Sequence, residues 1–289
     1  MTCLRLFLCA AFLASCSSPS EPSKLPSNQP KSKRSKANKK RKKQKKKTRR
    51  RNVGRQKGGK AIAPTAELSL GGNERIEGFA KAKRAMVKVF RDRRTTFYCG
   101  CQFQDDGRVD WASCGYVPRA NSKRARRIEW EHVVPAHAFG QSFPSWRLGH
   151  PSCVNSKGKA YKGRRCARKV SPLFRRMESD LFNLQPAIGE VNADRSNYSM
   201  AELEGEDREY GKCDVEIRER KVEPRPSIRG DIARTYLYMD TVYPGRGIIG
   251  TKRRKLFDAW AKADPVDAWE RTRIRRIEKV QGNRNSIVP

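Results

Sequence analysis

The sequence predicts an α+β fold, a single mixed domain stabilised by disulfides behind a long basic arm and an export signal. Three observations carry this. Helical spacing of apolar residues recurs along the second half of the chain, short β-branched runs interrupt the first half, and six cysteines remain beyond Cys16. No internal repeat is visible, so the mixture reads as one domain with a long functional loop.

The first element is a targeting signal. Arg5 precedes an apolar run from Leu6 to Ala14, too short for a permanent membrane span. The run ends in Leu13-Ala14-Ser15-Cys16, which resembles the bacterial lipobox, where the Cys is acylated and becomes the first mature residue. Residues 1–16 are therefore expected to be a lipoprotein-type signal peptide with Cys16 as the lipidation site. The alternative is an ordinary secretory signal with a chance Cys. Either reading takes the chain out of a bacterial cytoplasm, as an outer-membrane lipoprotein or as a periplasmic or extracellular protein.

Residues 17–67 follow as a Ser/Pro- and Lys/Arg-rich tether. No acidic residue stands between Glu21 and Glu67, and Lys31 to Lys60 has almost no apolar side chains. Such a segment cannot bury enough surface to offset its ordering entropy, so disorder is expected. Runs such as Lys39-Lys40-Arg41-Lys42-Lys43 give it a second expected use as a clamp on nucleic acid or on anionic lipid headgroups. The whole chain carries a formal net charge of +35, which implies a polyanionic partner without separating binding from cutting.

The folded domain is expected over 68–289. Residues 74–91 place Ile76, Phe79, Ala80, Val87 and Phe90 on one helical face. Thr95 to Cys99 is a β-rich run, and Arg127 to Val134 reads as a strand closed by Pro135. Residues 140–170 form a long Cys-, Gly- and Arg-rich connection. Pro172 suits the first turn of a helix through Leu173, Met177, Leu181 and Phe182, and helical patterns recur at 228–240, 252–262 and 265–279. In an exported chain Cys99, Cys101, Cys114, Cys153, Cys166 and Cys213 are most simply a disulfide set, with the pairing left open. Zinc on Cys99-Gly-Cys101 is disfavoured by the spacing.

Chemistry concentrates in two segments. Arg127 to Phe139, RIEWEHVVPAHAF, puts carboxylates beside His132 in a strand-like setting. Neighbouring strand residues face opposite ways, so Glu131 and His132 can serve one phosphate only if the strand bends or ends there, as Pro135 allows. Taken alone, the pair reads as a surface contact. The second segment, Asp180 to Asn197, is dense in Asn, Asp and Arg around a Gly-Glu turn. A carboxylate and an amide oxygen suit a hard divalent cation whose shell is completed by water and phosphate.

Together these segments resemble the bacterial endonuclease I family, non-specific periplasmic and secreted nucleases of the ββα-metal (His-Me finger) class. The matching stretches include Thr96–Cys101, Ser113–Tyr116, Arg127–Ala136, Arg176–Asp180, Asn183–Asn192, Asp194–Asn197, Ile232–Tyr236 and Lys279–Asn283, in order across roughly 78 to 285. The resemblance implies a ββα-metal nuclease core and assigns roles residue by residue. His132 is the general base, Glu131 and Asn192 hold one Mg²⁺ (with Mn²⁺ or Ca²⁺ as substitutes), and Glu178 supports the active-site cluster. Arg164 or its neighbour Arg165 contacts the scissile phosphate, with Arg164 preferred. The implied activity is non-specific hydrolysis of DNA and RNA to 5′-phosphate products by a monomer that grips the backbone.

Some positions depart from the family pattern. His137 stands where an aromatic is usual, which opens the option of a second active-site His; His150 reads as a loop residue. A late Cys pair of the family is absent, and the basic arm is additional. A rival from a different class is a catalytically silent, surface-anchored DNA-binding protein on a nuclease fold.

Overall fold

The computed structural model describes residues 71–120 and 123–288. The export signal, Cys16, the basic tether and the domain start at Leu68 lie outside the described residues. No helix among those described is long and apolar enough to cross a membrane.

The chain enters through α1 (Phe79–Val89), after Asn73 Oδ1 has accepted the Arg75 and Ile76 N–H groups. The buried stripe of α1 is Ala82, Met86 and Val89, joined by Phe90, whereas Val87 is 58% exposed and Ala80 also faces out. Ile76, Phe79 and Phe90 of the expected face do pack on the core, whereas Ala80 and Val87 lie off it. The true stripe runs Phe79, Ala82, Met86, Val89, which follows the helical repeat more closely than the set built around Ala80 and Val87. The β-rich run at 95–99 is likewise not a strand. Thr95 makes one bridge to Gln102, and the chain then turns over Gly100 at φ +72 with Thr96 Oγ1 accepting the Cys101 N–H. Turn geometry outweighs β-propensity here because two disulfides start from Cys99 and Cys101.

A two-stranded antiparallel ribbon, β1 (Ile128–His132) and β2 (Leu184–Ile188), forms the centre, with Ile128 opposite Ile188 and His132 opposite Leu184. Helix α6 (Gly189–Arg195) follows β2 at once and packs back on both strands, giving the expected ββα unit. The long connection between the strands is not structureless. It contains α2 (Ala136–Gly140), α3 (Pro144–Arg147), α4 (Arg164–Val170) and α5 (Pro172–Glu178). Ser171 caps α5 by accepting the Phe174 N–H, and Pro172 occupies its first turn, where a missing N–H costs nothing. The helix stops at Glu178, and a 3₁₀ turn carries Leu181 and Phe182 into the core.

Beyond α6, β3 (Ser199–Met200), β4 (Val215–Arg218) and β5 (Lys221–Pro224) make a second small sheet in the order β3-β5-β4. Helices α7 (Arg229–Val242), α8 (Thr251–Ala263) and α9 (Ala268–Gln281) complete the domain close to their expected bounds. Asp267 caps α9 through the Glu270 N–H, and Gly282, at φ +82, ends it. The cysteines pair as Cys99–Cys213, Cys101–Cys114 and Cys153–Cys166, so Cys99 and Cys101 are not zinc ligands.

Candidate active site

The last residue of β1 is the centre of the site. Strand pairing ends at His132, and Asn183 then clamps the exit, accepting the Val134 N–H at 2.7 Å and donating to Val134 O at 3.0 Å. The expected break in the strand is thus real. Glu131 and His132 line one cavity of about 760 Å³ together with Glu129, Arg164, Asn192 and His137.

His132 is held on two sides. Its Nε2 lies 2.8 Å from the Glu178 carbonyl, and the Phe79 ring at the start of α1 packs on the imidazole at 4.9 Å between centroids. A carbonyl only accepts, so Nε2 carries the proton and Nδ1 keeps its lone pair. Burial first, and then the positive charge of Arg164, push the His132 pKa down to about 4. The imidazole is neutral at pH 7.

Glu178 acts through both its backbone and its side chain. It is 1% exposed, and its carboxylate accepts from Arg164 Nε on one oxygen and from Arg168 Nε on the other at 2.7 Å, with Arg168 Nη2 also bonding the first at 2.6 Å. Burial would raise its pKa, yet the two guanidinium groups hold it below the usual carboxylate value. Arg164 opens α4 and reaches the cavity wall, while Arg165 turns to the Tyr161 ring at 4.5 Å. Of the two candidate arginines, the cavity receives Arg164.

On the opposite side, Glu129 and Glu131 share a strand face. Glu131 is 3% exposed; its Oε1 accepts from Tyr98 Oη at 3.1 Å and pairs with Arg195 Nη1 at 3.1 Å. Burial nevertheless pushes the Glu131 carboxyl up. Asn192 lies one turn before Arg195 on α6 and donates from Nδ2 to Glu129 Oε2 at 2.9 Å. Asn192 thus meets Glu129 directly, and no hydrogen bond joins it to Glu131 among the described residues. Gly189 permits this close approach, since a Cβ there would stand 2.8 Å from Arg124 O and 3.0 Å from the Glu129 carboxylate.

Sequence reasoning assigned no role to Tyr98, Glu129 or Arg195. Arg195 is 1% exposed and ties the strand exit to α6, donating to His132 O at 3.1 Å and Val133 O at 2.6 Å. The available signal was its position three residues after Asn192, on the same face of a helix. His137 is on the cavity wall, bonded to Gln141 at 3.0 Å and edge-on to Trp146. His150 sits in the loop, bonded to Ser152.

The donor set is carboxylate and amide oxygen, the ligand chemistry of a hard divalent cation. Asn192, with Nδ2 engaged by Glu129, offers Oδ1; Glu131, whose bonds to Tyr98 and Arg195 both fall on Oε1, offers Oε2. The residues fit such an ion.

The Endonuclease I family model matches residues 79–289. The chain is 43% identical over 221 residues to a periplasmic deoxyribonuclease of Aeromonas hydrophila, covering 74% of this chain and 86% of that protein. An extracellular deoxyribonuclease of the same organism is 44% identical over 217 residues, 73% of this chain and 88% of its own. Endonuclease-1 of Buchnera aphidicola is 42% identical over 219 residues, 74% of this chain and 81% of its own. A ββα core carrying the motif residues in one cavity, matched over most of the domain, establishes that this chain is an endonuclease of the endonuclease I family.

Proposed function

We propose that this chain is an exported, Mg²⁺-dependent endonuclease that hydrolyses phosphodiester bonds of DNA, and of RNA, without sequence preference. The observation that carries the reading is the His132 tautomer: a neutral imidazole with Nε2 tied to a carbonyl and Nδ1 left basic, facing carboxylate and amide donors across one cavity.

His132 Nδ1 takes a proton from water as the water oxygen attacks phosphorus. The P–O3′ bond breaks, so the phosphate stays on O5′ of the downstream fragment, and the departing O3′ takes a proton from solvent to become a 3′-hydroxyl. Glu178 positions both partners of this step, orienting the imidazole through its carbonyl and Arg164 through its carboxylate. Arg164 places a guanidinium on the phosphate oxygens. Glu131 and Asn192 would hold the cation, with Glu129 orienting the Asn192 amide. What a bound Mg²⁺ supplies there is charge neutralisation at the phosphate and at the departing oxygen. Lys83, Arg124 and Arg127 on the cavity wall extend the positive surface to neighbouring phosphates.

The names of the relatives support DNA as substrate and a place outside the cytoplasm, and the apolar run ending in Cys16 supports export. Plasmid incubated with the oxidised protein and Mg²⁺ should be cut to 5′-phosphorylated fragments, and EDTA should stop it. Intact plasmid, or a His132→Ala variant as active as the parent, would sink the proposal. The net charge of +35 suits nucleic-acid binding with or without cutting, and a silent DNA-binding protein would leave DNA retained but uncut in the same assay.

A further inference from the structure

A second group of carboxylates stands apart from the residues assigned to the cavity. Glu206, Asp214 and Glu216 each bring an oxygen to within 4.8 Å of the other two. Glu216, on β4, is 3% exposed, and its Oε1 is buried without a hydrogen-bond partner. A buried carboxylate oxygen without a partner is costly, and a bound cation is one way to meet it.

The neighbouring charges do not remove this deficit. Arg208 bonds Glu206 at 2.7 Å and Asp214 at 2.9 Å, and no bond joins it to Glu216 among the described residues. Three carboxylates against one guanidinium leave two negative charges when all are ionised. Glu223, directly across the strand pair from Glu216, is already engaged by Arg229 and the Leu203 N–H.

We propose that Glu206, Asp214 and Glu216 form a Ca²⁺ site that is separate from the catalytic cluster. Two oxygens on one Ca²⁺, each at about 2.4 Å, lie no more than about 4.8 Å apart, and these three oxygens lie within that distance of one another. Mg²⁺ releases its water reluctantly, whereas Ca²⁺ accepts several carboxylates in a flexible shell, so three converging carboxylates suit the larger ion. The ion would pin the 206–216 segment. Tyr210 of that segment bonds Asp194 of α6 at 2.8 Å, and Cys213 joins it to Cys99, so the site braces the helix that carries Asn192.

Ca²⁺ uptake by the oxidised full chain, measured by equilibrium dialysis and by thermal unfolding, tests this. Asn192→Ala removes one donor of the proposed catalytic site, so the two sites can be separated. The Asn192→Ala chain should take up one Ca²⁺, and its Tm should rise by roughly 5 °C at saturating ion. The Asn192→Ala/Glu216→Gln chain should take up none. It should melt no lower than its parent without Ca²⁺, because the buried charge is gone. Asp214→Asn, at a more exposed ligand, should weaken uptake about tenfold and serves if Glu216→Gln fails to fold. No uptake by Asn192→Ala, or uptake unchanged by both ligand substitutions, overturns the assignment.

Discussion

Two buried carboxylates two residues apart, Glu178 and Asp180, are satisfied in opposite ways. Asp180 is fully buried among neutral donors: Tyr243 Oη at 2.7 Å, Gln281 Nε2 at 2.9 Å, the Phe182 N–H at 3.0 Å and Tyr238 Oη at 3.1 Å. Those four bonds recover only part of the burial cost, and its pKa stays raised. Glu178 has two partly exposed arginines, and its pKa is lowered. Neutral donors knit a core together; guanidinium partners keep a carboxylate charged and place cations at a cavity. The contrast separates an acid held within the core from one that ties arginines to the proposed site.

The largest expected effect lies on the chemical side. His132→Ala should lower kcat by about 10³-fold, within the usual range for a general base, with little change in Tm. A drop below tenfold would remove His132 from the mechanism. Next comes Asp180→Ala, which strands two tyrosine hydroxyls and a glutamine and should cost about 3 kcal/mol of stability by chemical denaturation. The fraction that remains folded should keep near-parental kcat. Were its kcat to collapse instead, the distinction between the two acids would be wrong.

Glu178→Gln should be milder, roughly 10–100-fold in kcat/KM, because the carbonyl that holds His132 survives while Arg164 loses its charged partner. The smallest effect concerns pH. With the His132 pKa near 4, kcat/KM should stay level from neutral pH to about pH 5 and fall below that as the imidazole is protonated. Arg164→Met removes a charge that depresses this pKa, so the acid limb should move upward by a fraction of a pH unit, alongside any loss of rate. An acid limb centred near pH 6.5 in the parent would show that burial does not tune this group.

Local signals were legible where neighbours in sequence are neighbours in space. Pro172 marked the start of α5, and Pro135 marked the break after β1. Motif order brought Glu131, His132, Arg164 and Asn192 to one cavity. What could not be read depends on partners far along the chain. Arg195 bonds carbonyls more than sixty positions away, and Glu129 gains Asn192 across a similar gap. The α1 face was only partly legible because Ala80 and Val87 are apolar yet lie off the stripe that Met86 and Val89 define. Among six cysteines, spacing did not reveal that Cys99 pairs with Cys213, a contact set by tertiary closure.

The ribbon at the centre has a kinetic consequence. His132 and Leu184 are paired, yet the whole of residues 133–183 lies between them. A hairpin with a short turn zips in microseconds; this one must first close a long loop, at an entropic cost that grows with its length, before its contacts give anything back. The proposed general base, His132, and the Glu178 carbonyl that holds it therefore meet only when the intervening helices have found their places. Turnover of substrate would then report completed folding, and a chain caught part-way would be harmless to any nucleic acid nearby.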